Sequence, residues 1–121
     1  MRQILVVDDS ATMRRMVMAS LRNLADVKFE EASNGLEAIE QLAIASVDLM
    51  ILDLNMPDMH GMDVLKFVRE HLSHSDIPIV VLTTKGDQYT HMTAIGAGAS
   101  RYMTKPFDPQ TLATQVSELL H

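Results

Sequence analysis

The chain has 121 residues, 47% of them hydrophobic and 21% charged, with no cysteine and no tryptophan. This is the length of one domain, able to bury roughly two-thirds of its unfolded surface without a staple. The missing cysteines exclude disulfides, thiolate zinc and a cysteine nucleophile, and they fit a reducing cytoplasm. Ten Lys+Arg against sixteen Asp+Glu leave a net charge of −6, a poor footprint for nucleic acid. The first apolar run, Ile4-Leu5-Val6-Val7, stops at two aspartates. It is neither a signal peptide nor a membrane span, which needs about 20 apolar residues.

In chain order, Ile4-Leu5-Val6-Val7 predicts a strand covered on both faces. Met13, Val17, Leu21 and Leu24 then form a helical stripe behind Ser10 as a cap. Val27-Lys28-Phe29-Glu30-Glu31 alternates like a partly exposed edge strand. Leu36, Ile39, Leu42 and Ala43 follow an Asn34-Gly35 turn as a second helical stripe. Leu49-Met50-Ile51-Leu52 is a second buried strand, followed by a stripe of Met62, Leu65, Val68 and Leu72 after Gly61. Ile79-Val80-Val81-Leu82 is the third buried strand. A weak helix from Asp87 to Ala97 carries Tyr89, Met92 and Ile95, with Gly96 and Gly98 lowering its propensity. Ser100-Arg101-Tyr102-Met103-Thr104 reads as the other edge strand. Asp108 and Pro109 then open a last helix through Leu112, Val116 and Leu119.

Strict βα alternation predicts an α/β fold, a doubly wound five-stranded parallel sheet. Right-handed crossovers and two mixed strands at the edges give the order 2-1-3-4-5, with ligands bound beyond the carboxyl ends of the strands. Those ends carry Asp8-Asp9, Asp53, Thr83-Thr84 and Thr104-Lys105, whereas the second strand ends in uncharged Ala32-Ser33. Taken singly, each has an ordinary reading: Asp9 as a helix cap, Asp53 as a turn cap, Thr83 as a strand residue, Lys105 as a solvated charge. Together they put three carboxylates, a hydroxyl and an ammonium in one crevice. Like charges so placed repel unless a cation sits among them. Hard oxygen ligands beside a lysine suit Mg²⁺ and a phosphoryl group.

The acidic pair, the block Asp53-Leu54-Asn55-Met56-Pro57-Asp58-Met59-His60-Gly61, Thr83, and the block Thr104-Lys105-Pro106-Phe107 resemble the receiver domain of two-component response regulators. The resemblance runs over essentially the whole chain. It implies a CheY-like single-domain protein, residues 1–121, of flavodoxin-like (βα)5 fold and without an output domain. It further implies that Asp53 is the phosphoacceptor, and that Mg²⁺ is held by Asp9, Asp53 and the Asn55 backbone carbonyl, with Asp8 acting through water. Lys105, before a cis Lys105-Pro106 bond, and Thr83 would contact the phosphoryl oxygens, and Thr83 and Tyr102 would form the switch. The implied partners are a histidine kinase as phosphodonor and a downstream target, such as a flagellar motor switch or a phosphatase, met through helix 4, strand 5 and helix 5. The expected protein is a cytoplasmic monomer, with no nucleic-acid or membrane partner. It is a signalling switch rather than an enzyme, with only its own phosphorylation and dephosphorylation as chemistry.

A phosphorelay intermediate or phosphate sink uses the same residues. A Mg²⁺-dependent phosphohydrolase with an aspartate nucleophile needs an acid two positions on, where Asn55 stands. A flavodoxin-like cofactor binder needs a phosphate cradle that the first loop lacks. Asn55 and Lys85 occupy positions at which the family tunes phosphoryl lifetime. The methionines, among them Met13, Met16, Met50 and Met103, read as core rather than as metal ligands. Of the five histidines only His60 falls near the site, and a catalytic role is not expected of it. Arg14 and Arg15 are expected on the exposed rim of the first helix, where a kinase or phosphatase could dock.

Overall fold

A computed structural model describes residues 1–56, 60–71, 76–84 and 86–120. The three apolar runs become its central strands. β1 (Arg2–Val7), β3 (Leu49–Asp53) and β4 (Ile79–Thr83) lie side by side, flanked by β2 (Val27–Ala32) and β5 (Arg101–Thr104). All pairings are parallel and the order is β2-β1-β3-β4-β5, as patterning predicts. Every residue of β3 and β4 is buried, because both faces of the sheet are covered.

Alternation along each strand divides the core. Leu5, Val7, Met50, Leu52, Ile79 and Val81 face one way, toward α2 (Gly35–Ile44), α3 (Gly61–His71) and α4 (Gln88–Gly96). Ile4, Val6, Leu49, Ile51, Val80 and Leu82 face the other, toward α1 (Ala11–Leu21) and α5 (Pro109–Leu119). The caps follow the local sequence. Ser10, Asp87 and Asp108 accept from Met13, Thr90 and Thr111, and Pro109 opens α5. Asn34 is also a cap, accepting from Glu37, so Asn34-Gly35 starts α2 rather than forming a separate turn.

Two helical faces differ from the sequence expectation. In α2 the buried stripe is Gly35, Ala38 and Leu42, while Leu36 is 60% exposed and Ala43 also faces solvent. Leu42 is common to both stripes, while Leu36 and Ile39 lie one residue along from the buried Gly35 and Ala38. The small side chains of Gly35 and Ala38, which the larger neighbours outweigh in a hydropathy pattern, permit the close approach. In α4 the expected stripe is the outer face: Tyr89, Met92 and Ile95 are all exposed, and Ala94 is the buried residue. There too the helix rests on its small side chains. Leu24 lies beyond the end of α1 yet still packs on the core, Met16 is exposed, and Leu72 lies outside the described residues.

The rotated face of α2 has a measurable consequence. Leu42→Ala should cost about 2–5 kcal/mol in denaturant unfolding, while Leu36→Ala should stay within about 0.5 kcal/mol. Equal costs would contradict the observed packing.

Candidate functional site

Parallel strands that end level with one another place their terminal side chains along one rim. Val7 pairs with Leu52, and Asp53 with Leu82, so the residues just past β1 and at the end of β3 and β4 are neighbours. Asp8, Asp9 and Asp53 each bring a carboxylate oxygen within 4.8 Å of the others. Asp8 and Asp53 are 3% and 2% exposed, whereas Asp9 is open to solvent. The buried pair is bridged by Lys105, whose Nζ lies 2.9 Å from Asp8 Oδ2 and 3.2 Å from Asp53 Oδ1. Lys105 follows directly on β5 and precedes a cis Lys105-Pro106 peptide.

Backbone donors complete the arrangement. Asp8 Oδ1 accepts from the Ser10 amide at 2.9 Å, and Asp53 Oδ1 from the Asn55 amide at 3.0 Å. Thr83 is fully buried, and its Oγ1 accepts from Asn55 Nδ2 at 3.2 Å, while the same nitrogen reaches Thr84 Oγ1 at 2.9 Å. Gly61 lets α3 start directly against the backbone of Asp53. A Cβ there would collide with the Asp53 carbonyl oxygen and lie 2.6 Å from Leu54 Cα.

The electrostatics are strained in one direction. Burial pushes the Asp53 carboxyl above its usual range, and the Asp8 charge adds to this; the Asn55 amide and Lys105 oppose it without cancelling it. Burial would lower Lys105, but its hydrogen bonds and charge pairing with Asp8 and Asp53 outweigh that and raise it, so it stays cationic.

The expected site residues Asp8, Asp9, Asp53, Asn55, Thr83 and Lys105 therefore meet at one rim. Tyr102 pairs with Val81 across β4 and β5. It is half-buried on β5 and stacks on His91 of α4, with ring centroids 4.6 Å apart and planes 1° from parallel. His60 lines a cavity of about 150 Å³ with Asn55 and Thr83, and its Nδ1 accepts from the Met62 amide. Lys85 and His74 lie outside the described residues.

Sequence reasoning misplaced Arg14. Its side chain is only 14% exposed, with Nη1 2.6 Å from the Asp8 carbonyl oxygen and Nε 2.8 Å from Glu31 Oε1. The signal was present in the spacing: helical side chains lean toward the N-terminus, so an arginine at the end of the first turn reaches back over the preceding loop. Arg69 was missed as well. From α3 its guanidinium donates to the Gly98 and Ile77 carbonyls at 2.6–3.0 Å, tying the end of α4 and the start of β4 to α3.

A parallel sheet in this winding order, with an acidic cluster and a lysine at its carboxyl rim, is the architecture of a receiver. The chain belongs to the response regulator receiver domain family, which it matches over residues 4–117. It is 42% identical over 119 residues to the chemotaxis protein CheY1 of Helicobacter pylori, covering 98% of this chain and 96% of that protein. It is 40% identical to the chemotaxis protein CheY homolog of Campylobacter jejuni, covering 98% and 92%. The structure of chemotaxis protein CheY4 of Vibrio cholerae superposes with a TM-score of 0.90 at 35% identity, over 99% of each chain.

Because the folded state holds the Asp53 proton more tightly than the unfolded chain, this group's contribution is intact below the ordinary carboxylate pKa. It is lost as pH rises through the raised value. In divalent-free buffer at neutral pH, Asp53→Asn should therefore raise the melting temperature, with the gain vanishing toward acid pH. A lower melting temperature in Asp53→Asn at neutral pH would contradict the burial penalty.

Proposed function

We propose that the protein is a phosphorylation-controlled chemotaxis-type signalling switch, with Asp53 as phosphoacceptor and a histidine kinase as donor. The observation that carries this reading is the bridging of two buried carboxylates by Lys105, with Asp9 exposed beside them. The donor set fits Mg²⁺: hard carboxylate oxygens lie close enough together to share a cation, and Asp9 faces the solvent from which one would arrive. Asp9 and Asp53, with the Asn55 carbonyl, would hold it directly, and Asp8 through water. When bound, the metal supplies positive charge against the phosphoryl oxygens.

An Asp53 carboxylate oxygen attacks phosphorus, the bond from phosphorus to the donor nitrogen breaks, and the imidazole leaves with the bonding pair and takes up a proton. The product is an acyl phosphate, which water returns to carboxylate and phosphate. Lys105, already beside Asp53, pairs with the phosphoryl oxygens as a point charge. The extra charge and acceptor oxygens draw the Thr83 hydroxyl away from Asn55. Space vacated behind β4 then admits Tyr102, which leaves His91 and alters the face made by α4, β5 and α5. The exposed Tyr89, Met92 and Ile95 give that face an apolar target-binding character. The chain spans 96% and 92% of the two chemotaxis relatives, and such a switch works in the cytoplasm.

Protein with Mg²⁺ and a small phosphodonor should gain one phosphoryl group by mass spectrometry, and Asp53→Asn should gain none. Stoichiometric labelling of that variant would move the acceptor elsewhere. Beryllium fluoride should shift the Tyr102 ring resonances in wild type, while Lys105→Ala should accept the ligand at Asp53 with the ring resonances unmoved. A full ring shift in Lys105→Ala would remove lysine from the coupling.

A further inference from the structure

The carbonyl of Asp8 stands where the β1–β2 ladder runs out. The Asp8 amide still donates to the Ala32 carbonyl at 3.1 Å. Beyond that rung β2 turns away: the Ser33 amide bonds Glu37 Oε1, and Asn34 caps α2. Arg14 takes the position a strand donor would have had, placing Nη1 2.6 Å from the Asp8 oxygen, while Glu31, two residues before Ser33 on the edge strand, holds its Nε at 2.8 Å. The guanidinium fork is thus anchored at both ends, between a carboxylate on β2 and the peptide joining the two acidic residues.

We propose that Arg14, braced by Glu31, is a positioning residue: by fixing the Asp8–Asp9 peptide it sets the divalent-cation affinity of the acidic cluster. This rests on the metal reading above. One carbonyl governs both side chains, since the peptide plane that follows Asp8 carries the amide of Asp9. With the plane held, Asp8 meets both Lys105 and the Ser10 amide. Free to rotate, the plane would let Asp9 swing away from Asp53 and Asp8 lose the Ser10 bond. Groups that orient metal ligands from outside commonly change affinity by roughly 10–100-fold when removed.

The sign of the effect separates positioning from plain charge. A guanidinium beside a cation site repels the incoming ion, so as a mere surface charge its removal would tighten binding. Calorimetric titration with Mg²⁺ alone should instead show Arg14→Ala binding about 10-fold more weakly than wild type. Arg14→Lys, which keeps the charge but not the fork, should fall between, and Glu31→Gln should show a smaller loss. Circular dichroism establishes that each variant is folded. In metal-free protein, amide exchange at Ser10 should quicken in Arg14→Ala, a change no electrostatic role produces. Unchanged or tighter Mg²⁺ binding in Arg14→Ala, or unaltered Ser10 exchange, overturns the assignment while leaving the metal reading standing. Failure of the wild type itself to bind Mg²⁺ overturns both.

Discussion

Two carboxylates that are almost wholly buried, with a third at the surface beside them, form an arrangement that no fold assembles for stability. Like charges at this spacing repel, and burial makes Asp53 harder to ionise. Lys105 makes the cluster tolerable by lying 2.9 Å from one buried carboxylate and 3.2 Å from the other. The compensation is incomplete, since Asp53 remains shifted toward its protonated form. A residual excess of negative charge at a solvent-facing rim is a standing attraction for a divalent cation, and then for a phosphoryl group whose charge the cation can share. The tension in the site and the chemistry proposed for it have the same origin.

The rest of the molecule holds that rim in register. Strands buried on both faces cannot slip without exposing apolar side chains, so the ends of β1, β3 and β4 stay level. Gly61 brings α3 onto the backbone of Asp53, and Arg14 ties α1 and β2 to the Asp8 peptide. The opposite character prevails at α4, which sits on Ala94 and turns its larger side chains outward. A rigid rim next to a lightly anchored helix suits a device in which charge added at one place alters a surface at another.

The sheet and its order were legible because three short apolar runs ending in acid or hydroxyl residues admit few arrangements. The site was legible for the same reason: parallel topology converts strand-end positions into neighbours without any knowledge of side-chain packing. The faces of α2 and α4 were not. Hydropathy gives weight to Leu36, Tyr89, Met92 and Ile95, while contact distance favours Gly35, Ala38 and Ala94, and sequence pattern does not encode that geometry. Arg14 escaped because an arginine on a first helical turn looks like a solvated charge until its backward lean is considered. The stack of His91 on Tyr102 depends on the relative height of α4 and β5, which spacing along the chain does not set.

That the acidic rim is a cation site is the claim on which phosphoryl chemistry, switching and the role of Arg14 all depend. Its most direct test is anomalous diffraction from crystals of the protein grown with Mn²⁺ in place of Mg²⁺. An anomalous peak in bonding contact with the carboxylates of Asp9 and Asp53 is the predicted result. A fully loaded crystal with its manganese elsewhere, or with none between these aspartates, would contradict it.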